Sequence, residues 1–180
     1  MGSVESLTNV KKIVENINEP VVVVVSALGG ITDRLIRTSQ LAVAGDDNYR
    51  NEFDAMVDRH HGIIDAVIPA GAAHDALKAK VDALLDELRS IYHGVYLIRD
   101  MTQKTANVIV SYGERMSSQI VSAFIEGSQC YDSREFIKTV RKQNRNLVDF
   151  DVTIRLVIQT FARMPRIAVV PGFIASAAND

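Results

Sequence analysis

The sequence predicts a three-layer α/β domain with helices on both faces of a mostly parallel sheet. Two runs point to this. Residues 21–25 are five consecutive valines, and residues 167–170 read Ile167-Ala168-Val169-Val170. Continuous β-branched runs of this length suit strands buried on both faces, as in a parallel sheet. Long stretches with apolar residues three and four apart separate them, the spacing of amphipathic helices. Both runs end in a glycine-containing turn, Ser26-Ala27-Leu28-Gly29-Gly30 and Gly172-Phe173-Ile174-Ala175-Ser176.

Each element has its own signal. Over residues 4–18, Leu7, Val10, Ile13, Val14 and Ile17 mark one helical face, and Pro20 ends the helix and launches the valine strand. Leu35, Ile36 and Leu41 define the next helix, to about Val43, with a loop at Gly45-Asp46-Asp47-Asn48. Residues 49–67 carry Phe53, Met56, Val57, His60, Ile63, Ile64 and Val67 at helical spacing. His60 and His61 are adjacent, so they cannot jointly face one metal, and they read as one semi-buried and one solvated histidine. Residues 75–98 hold the strongest helical pattern, with charges on the opposite face. Joined at Pro69-Ala70-Gly71, these two helices form an αα-hairpin excursion from the sheet.

Thr102 or Thr105 starts the following helical region. A helix near Gly113 carries Met116, Ile120, Val121, Phe124 and Ile125, with Gly127 as its cap and Glu114 near its start. Residues 129–132 read as a short strand and 133–137 as a short helix. Residues 138–150 are polar, with Arg141, Lys142 and Arg145 close together, and read as a surface loop or edge hairpin. Asp151 is the expected cap of a helix with Leu156, Val157, Thr160 and Phe161, ended by Pro165. The chain closes at Ala177-Ala178-Asn179-Asp180 without a further element.

Bulk properties narrow the function. At 180 residues and 47% apolar content the chain supports one sizeable core, which excludes a disordered segment. A net charge of −2 gives no basic surface for nucleic acid. Cys130 is the single cysteine, so no internal disulfide forms and a reducing, cytoplasmic setting is expected. No run approaches the roughly 18 apolar residues of a membrane span, and residues 1–5 lack the features of a signal peptide.

The chemistry concentrates in the turns. A strand, a small-residue turn and a helix start form a geometry that binds anions, because glycines admit a ligand to the backbone and unpaired amides point at it. Ser26 and Thr32 place hydroxyls at the two ends of the first turn, with Ala27, Gly29 and Gly30 between them. The turn has neither the Walker A spacing nor the full Gly-x-Gly-x-x-Gly fingerprint.

Three segments in order resemble the aspartokinases. They are Val25-Ser26-Ala27-Leu28-Gly29-Gly30-Ile31-Thr32, then Ser111-Tyr112-Gly113-Glu114-Arg115-Met116-Ser117 with its Gly-Glu-x-x-Ser pattern, then Gly172-Phe173-Ile174-Ala175-Ser176. The resemblance covers nearly the whole chain. It implies the amino-acid kinase fold, also called carbamate-kinase-like, in truncated form. Residues 1–180 would be a partial domain, the aspartate-binding portion. The family's opening strand ending Lys-Phe-Gly-Gly-Thr-Ser and its Arg-Gly-Gly-Ser-Asp turn with the nucleotide-binding half find no match here. Pro171 and Ala175 also depart from the family pattern, standing where Gln and Gly are common.

The implied reaction transfers the ATP γ-phosphoryl to the β-carboxylate of L-aspartate, giving 4-phospho-L-aspartate, the first step toward lysine, threonine and methionine. No general base is required, since a carboxylate of pKa about 3.9 is already ionised. The resemblance carries substrate contact to Ser26, Thr32, Glu114, Gly172, Phe173 and Ile174, with Glu114 as counter-charge to the ammonium. Ala27, Gly29, Gly30 and Gly113 support the turns, and Arg134 is a neighbour. No catalytic residue and no metal ligand is assigned within this chain. ATP and Mg²⁺ belong to the full-length enzyme, expected to be a homo-oligomer; neither is expected on the isolated chain, which is expected to be inactive alone. A parent fused to homoserine dehydrogenase is compatible. The alternatives are another amino-acid kinase, of the glutamate, acetylglutamate or carbamate type, and a non-catalytic binding or assembly fragment.

Overall fold

Strand β5 (Ile167–Pro171) is the centre of the main sheet and is buried along its whole length. The computed structural model of the chain describes residues 2–142 and 145–177. Met1, Gln143, Asn144 and the closing residues 178–180, on which parts of the start, hairpin and terminus readings fall, lie outside the described residues. β5 pairs in parallel with β1 (Val21–Val25), from Val21 opposite Ile167 to Val25 opposite Pro171. Its other edge pairs in parallel with β2 (Ser128–Cys130), so the order is β1-β5-β2.

Between β1 and β2 run four helices: α2 (Ile31–Ala44), α3 (Tyr49–Val67), α4 (Ala72–Ile98) and α5 (Gln103–Phe124). With α1 (Val4–Glu15) they cover one face of the sheet. Ile167, Val169 and Val25 join their hydrophobic core. The hairpin of α3 and α4 packs on α2 and α5, and Tyr92 donates a hydrogen bond from its hydroxyl to the Leu35 carbonyl at 2.9 Å. Phe53 meets the Tyr92 ring edge-on. Two histidine–carboxylate bridges join the hairpin's helices: His61 to Asp82 at 2.6 Å and His74 to Asp65 at 2.8 Å. His60 is fully buried rather than semi-buried, because its Nδ1 bonds the Met56 carbonyl oxygen one turn back.

After β2 the chain forms α6 (Ser133–Phe136), the antiparallel strands β3 (Lys138–Lys142) and β4 (Arg145–Val148), and α7 (Phe150–Phe161). The polar segment is therefore a hairpin. β6 (Ser176–Ala177) pairs with β3 beyond β5. Right-handed crossovers require α7 to lie on the sheet face opposite the other helices, completing three layers.

Further expectations change. Ile13 is 66% exposed and leaves the buried face of α1, Ile125 rather than Gly127 is the cap residue of α5, and Ala177 pairs in β6. β1 is not buried on both faces: it is the edge strand of the sheet, and Val22 is 43% and Val24 66% exposed. Asp149, not Asp151, caps α7, accepting a hydrogen bond from the Val152 amide at 3.1 Å. Ile36 is exposed, off the buried face of Leu35. No helix begins near Gly113. α5 starts at its Thr102 cap and runs through Glu114 without a break. Among the described residues, no helix is long and apolar enough to cross a membrane.

Candidate functional site

β1 and β5 end side by side, so the turns that follow them meet at the carboxyl edge of the sheet, where open α/β sheets bind ligands. The Gly172 amide donates to the Val25 carbonyl at 2.7 Å and joins the two turns. A Cβ on Gly172 would fall 2.9 Å from Val24 Cγ1 and 3.3 Å from the Val25 oxygen. Glycine is therefore required there by crowding.

The first turn is set by Gly30, which caps α2 with a left-handed φ of 81°. Leu28 is buried under the turn, whereas Ser26, Gly29 and Gly30 face solvent and Thr32 is half-buried in the first turn of α2. Among the described residues, nothing bonds the hydroxyl of Ser26 or Thr32. Asp33 puts a carboxylate in the same helical turn, which disfavours a cradle made only for phosphate.

Helix α5 meets this turn from the side. A Cβ on Gly113 would lie 2.8 Å from the Ala27 Cβ and 3.3 Å from Leu35 Cδ1, so the missing side chain allows the approach. Glu114 follows, 7% exposed. Its Oε1 accepts a long hydrogen bond from the Ala27 amide, 3.3 Å, and its Oε2 is buried without a partner. Burial pushes the carboxyl above its ordinary pKa, against the pull of the backbone amides. Mid-helix, Glu114 cannot be a dipole-compensating acid of a first turn. One helical step on, Ser117 donates its hydroxyl to the Ser26 carbonyl at 2.8 Å.

The third turn carries Phe173, a non-glycine residue at φ 60° whose side chain is fully exposed, at 103%. An unpacked aromatic in a sparsely populated backbone conformation is costly unless something else compensates. Ile174 is fixed through its carbonyl, which accepts from the Ser133 hydroxyl at 3.0 Å. Arg134 lies beside this turn by its carbonyl, which accepts from Ser176 Oγ at 2.7 Å, while its guanidinium is engaged by Asp132.

The structure thus gathers Ser26, Ala27, Gly29, Gly30, Thr32, Gly113, Glu114, Gly172, Phe173 and Ile174 at one edge of the sheet. Sequence reasoning misses the tethering roles of Ser117 and Ser133. The spacing of Ser117 from Glu114, three residues on a helix, is a readable signal for the first; the second has none. A cavity of about 700 Å³ lies elsewhere, along β2, lined by Ala76, Lys80, Gln119 and Cys130 among others. Convergent chemistry, not concavity, marks the site at the turns. No group of three His, Cys, Asp or Glu side chains that could hold a metal occurs among the described residues.

No family model matches the chain. Among characterised proteins it is similar to bifunctional aspartokinase/homoserine dehydrogenase 1, chloroplastic, of Zea mays, with 29% identity over 184 residues, 98% of this chain and 20% of that protein. Aspartokinase 2, chloroplastic, of Arabidopsis thaliana is 24% identical over 96% of this chain and 33% of its own length. The chain thus spans about a fifth to a third of such relatives. Crystal structures of E. coli aspartokinase III, one with lysine and aspartate and one with aspartate and ADP, match at TM-score 0.83 and 20% identity, over 97% of this chain and 39% of theirs. Clostridium acetobutylicum aspartate kinase matches at TM-score 0.77. The chain is similar in sequence to one segment of the longer aspartokinases and has the amino-acid kinase fold of the solved ones.

Proposed function

We propose that this chain is the aspartate-binding part of an aspartate kinase. The observation that carries the reading is Glu114, a buried carboxylate with one unpartnered oxygen at the meeting of three turns. An uncompensated buried charge costs stability, and a cationic ligand group removes that cost. The ammonium of L-aspartate supplies the charge. Thr32, Ser26 and the amides of the first turn of α2 suit a substrate carboxylate. Phe173, exposed beside Gly172 and Ile174, would wall the bound substrate on the side of the third turn.

The reaction of the whole enzyme transfers the γ-phosphoryl of ATP to the β-carboxylate of L-aspartate and opens the route to lysine, threonine and methionine. Both reactants are anionic there, so the task of this chain's residues is to hold one anion in line and to neutralise its ammonium. ATP and Mg²⁺ belong to that whole reaction. The described residues build no metal site. Residues 1–180 would then form one partial kinase domain, acting in the cytoplasm within a homo-oligomer. The aspartate and ADP in the E. coli structures support the substrate class.

Backbone amide NMR during an L-aspartate titration tests this. Shifts should concentrate at Ala27, Gly29, Gly30, Thr32 and residues 172–174. Saturable binding with shifts confined elsewhere, or no binding at millimolar aspartate, would reject the assignment.

A further inference from the structure

The helical hairpin holds a cavity remote in character from the glycine turns. It measures about 220 Å³ and is lined by Tyr49, Arg50, Phe53 and Asp54 of α3 and by Arg89 and Tyr92 of α4. That is the volume of about seven waters, each taking roughly 30 Å³ in the liquid, and it suits one small metabolite. Tyr49, Phe53 and Tyr92 are buried and make an aromatic floor. The floor is fixed from behind. Phe53 and Tyr92 meet edge-on, the Tyr49 ring packs on Tyr96 with 5.0 Å between centres, and the Leu35 carbonyl holds the Tyr92 hydroxyl. An aromatic floor with a few polar groups above it is the usual make-up of a small-molecule site.

Those polar groups are two guanidiniums and a carboxylate. Arg50 stacks over Tyr49 and Tyr96, with its guanidinium carbon 5.0 and 5.6 Å from the ring centres, and Arg89 stacks over Phe53 at 5.0 Å. A stacked guanidinium donates in its own plane, so stacking directs its N–H groups without consuming them. Arg50 turns Nε to Asp47 at 3.5 Å, and Arg89 turns Nη1 to Asp86 at 2.9 Å. Both partners are exposed, where such pairs are weak, and each guanidinium has further donors. Asp54 is exposed, sits one helical turn from Arg50, and has no ion-pair partner among the described residues. Two cations among three carboxylates leave the cluster close to neutral. It therefore has no field to gather a bare anion such as phosphate, and its arginines disfavour a bare cation. A zwitterion meets both signs.

We propose that this cavity binds a free α-amino acid with an apolar side chain. The carboxylate lies between Arg50 and Arg89, the ammonium on Asp54, and the side chain against Phe53 and Tyr92. This inference stands on the cavity alone and not on the substrate assignment.

Calorimetric titration of the 180-residue chain with L-leucine provides the test. Two paired probes go with it: 4-methylpentanoate, which lacks the ammonium, and 3-methylbutylamine, which lacks the carboxylate. Saturable binding of L-leucine is expected at millimolar concentration or below, and at least tenfold weaker binding of either paired probe. Arg89→Gln and Asp54→Asn alter exposed positions and should each weaken L-leucine at least tenfold, with circular dichroism showing an intact fold. Asp58→Asn, exposed on α3 outside the cavity, should not. Asp54→Asn should also erase the preference for L-leucine over 4-methylpentanoate, which a general loosening of the hairpin would not do. Absence of binding at millimolar L-leucine would overturn the proposal. So would binding that ignores both Arg89→Gln and Asp54→Asn. Equal affinity of the wild type for 4-methylpentanoate, or for inorganic phosphate, would make the cavity a plain anion site and overturn it as well.

Discussion

The hydroxyl of Ser117 lies 2.8 Å from the carbonyl oxygen of Ser26, 91 residues earlier in the chain. With the Ala27 amide on Glu114, it fastens the turn after β1 to the middle of α5. Ser117→Ala removes the tether. A loss of about 0.5–1.5 kcal/mol is expected from one hydrogen bond, together with weaker L-aspartate binding as the turn loosens. Chemical denaturation and calorimetric titration read the two effects. Unaltered affinity with reduced stability would make Ser117 purely structural.

Gly113 and Gly94 are both mid-helix glycines, but they should respond in opposite ways to alanine. A Cβ at Gly94 meets nothing within 4 Å, whereas one at Gly113 meets Ala27 at 2.8 Å. Gly94→Ala should stabilise by about 0.5–1 kcal/mol through helix propensity. Gly113→Ala should destabilise by about 1–3 kcal/mol despite the same gain, as overpacking does. Urea unfolding of both variants decides. A stabilised Gly113→Ala would mean that the close approach of α5 to the turn is not rigid.

Without ligand, Glu114 should burden the fold. Burial raises its pKa above the unfolded value, so the folded state holds its proton more tightly. Its stability contribution then declines as pH rises through the unfolded pKa toward the folded one, and stays low above it. Glu114→Gln should therefore raise stability at pH 7–8 by about 0.5–2 kcal/mol, or a few degrees in Tm at about 2–4 °C per kcal/mol for a chain of this size. The gain should vanish near pH 3. Thermal melts across pH provide the check, and a variant less stable at pH 8 would show the carboxylate to be structurally useful.

His60 adds a second pH dependence. Burial holds its pKa below the ordinary value, and the neighbouring Arg59 and His61 act the same way against the Met56 carbonyl's pull. The unfolded chain thus binds this proton more readily, so stability present above about pH 6.5 should be lost as pH falls through that value. His60→Gln should flatten the change in Tm between pH 7 and 5.5. An identical slope in the variant would place the acid sensitivity elsewhere.

How far the sequence foretells this structure depends on the kind of signal. The β-branched runs mark β1 and β5, and the parallel topology brings their turns together. A run of five valines has no period, so it cannot tell that Val22 and Val24 face an uncovered side. Gly113 reads as a helix boundary because glycine weakens helices. Here it is the contact with Ala27 that requires the small residue, and the helix continues. Asp149 and Asp151 are equally good caps by type, and only the Val152 amide chooses between them. The bond from Ser133 to Ile174 spans 41 residues and leaves no local trace.

The central claim is that Glu114 supplies the counter-charge for the ammonium of L-aspartate. The most direct measurement compares L-aspartate with succinate, which keeps both carboxylates but lacks the ammonium, on wild type and on Glu114→Gln. Calorimetric titration gives the four affinities. A charge-assisted hydrogen bond is worth roughly 1.5–3 kcal/mol, or about ten- to hundred-fold in Kd. Wild type should prefer L-aspartate to succinate by that factor, and Glu114→Gln should bring the preference close to one, mainly by weakening L-aspartate. An undiminished preference in Glu114→Gln would contradict the account.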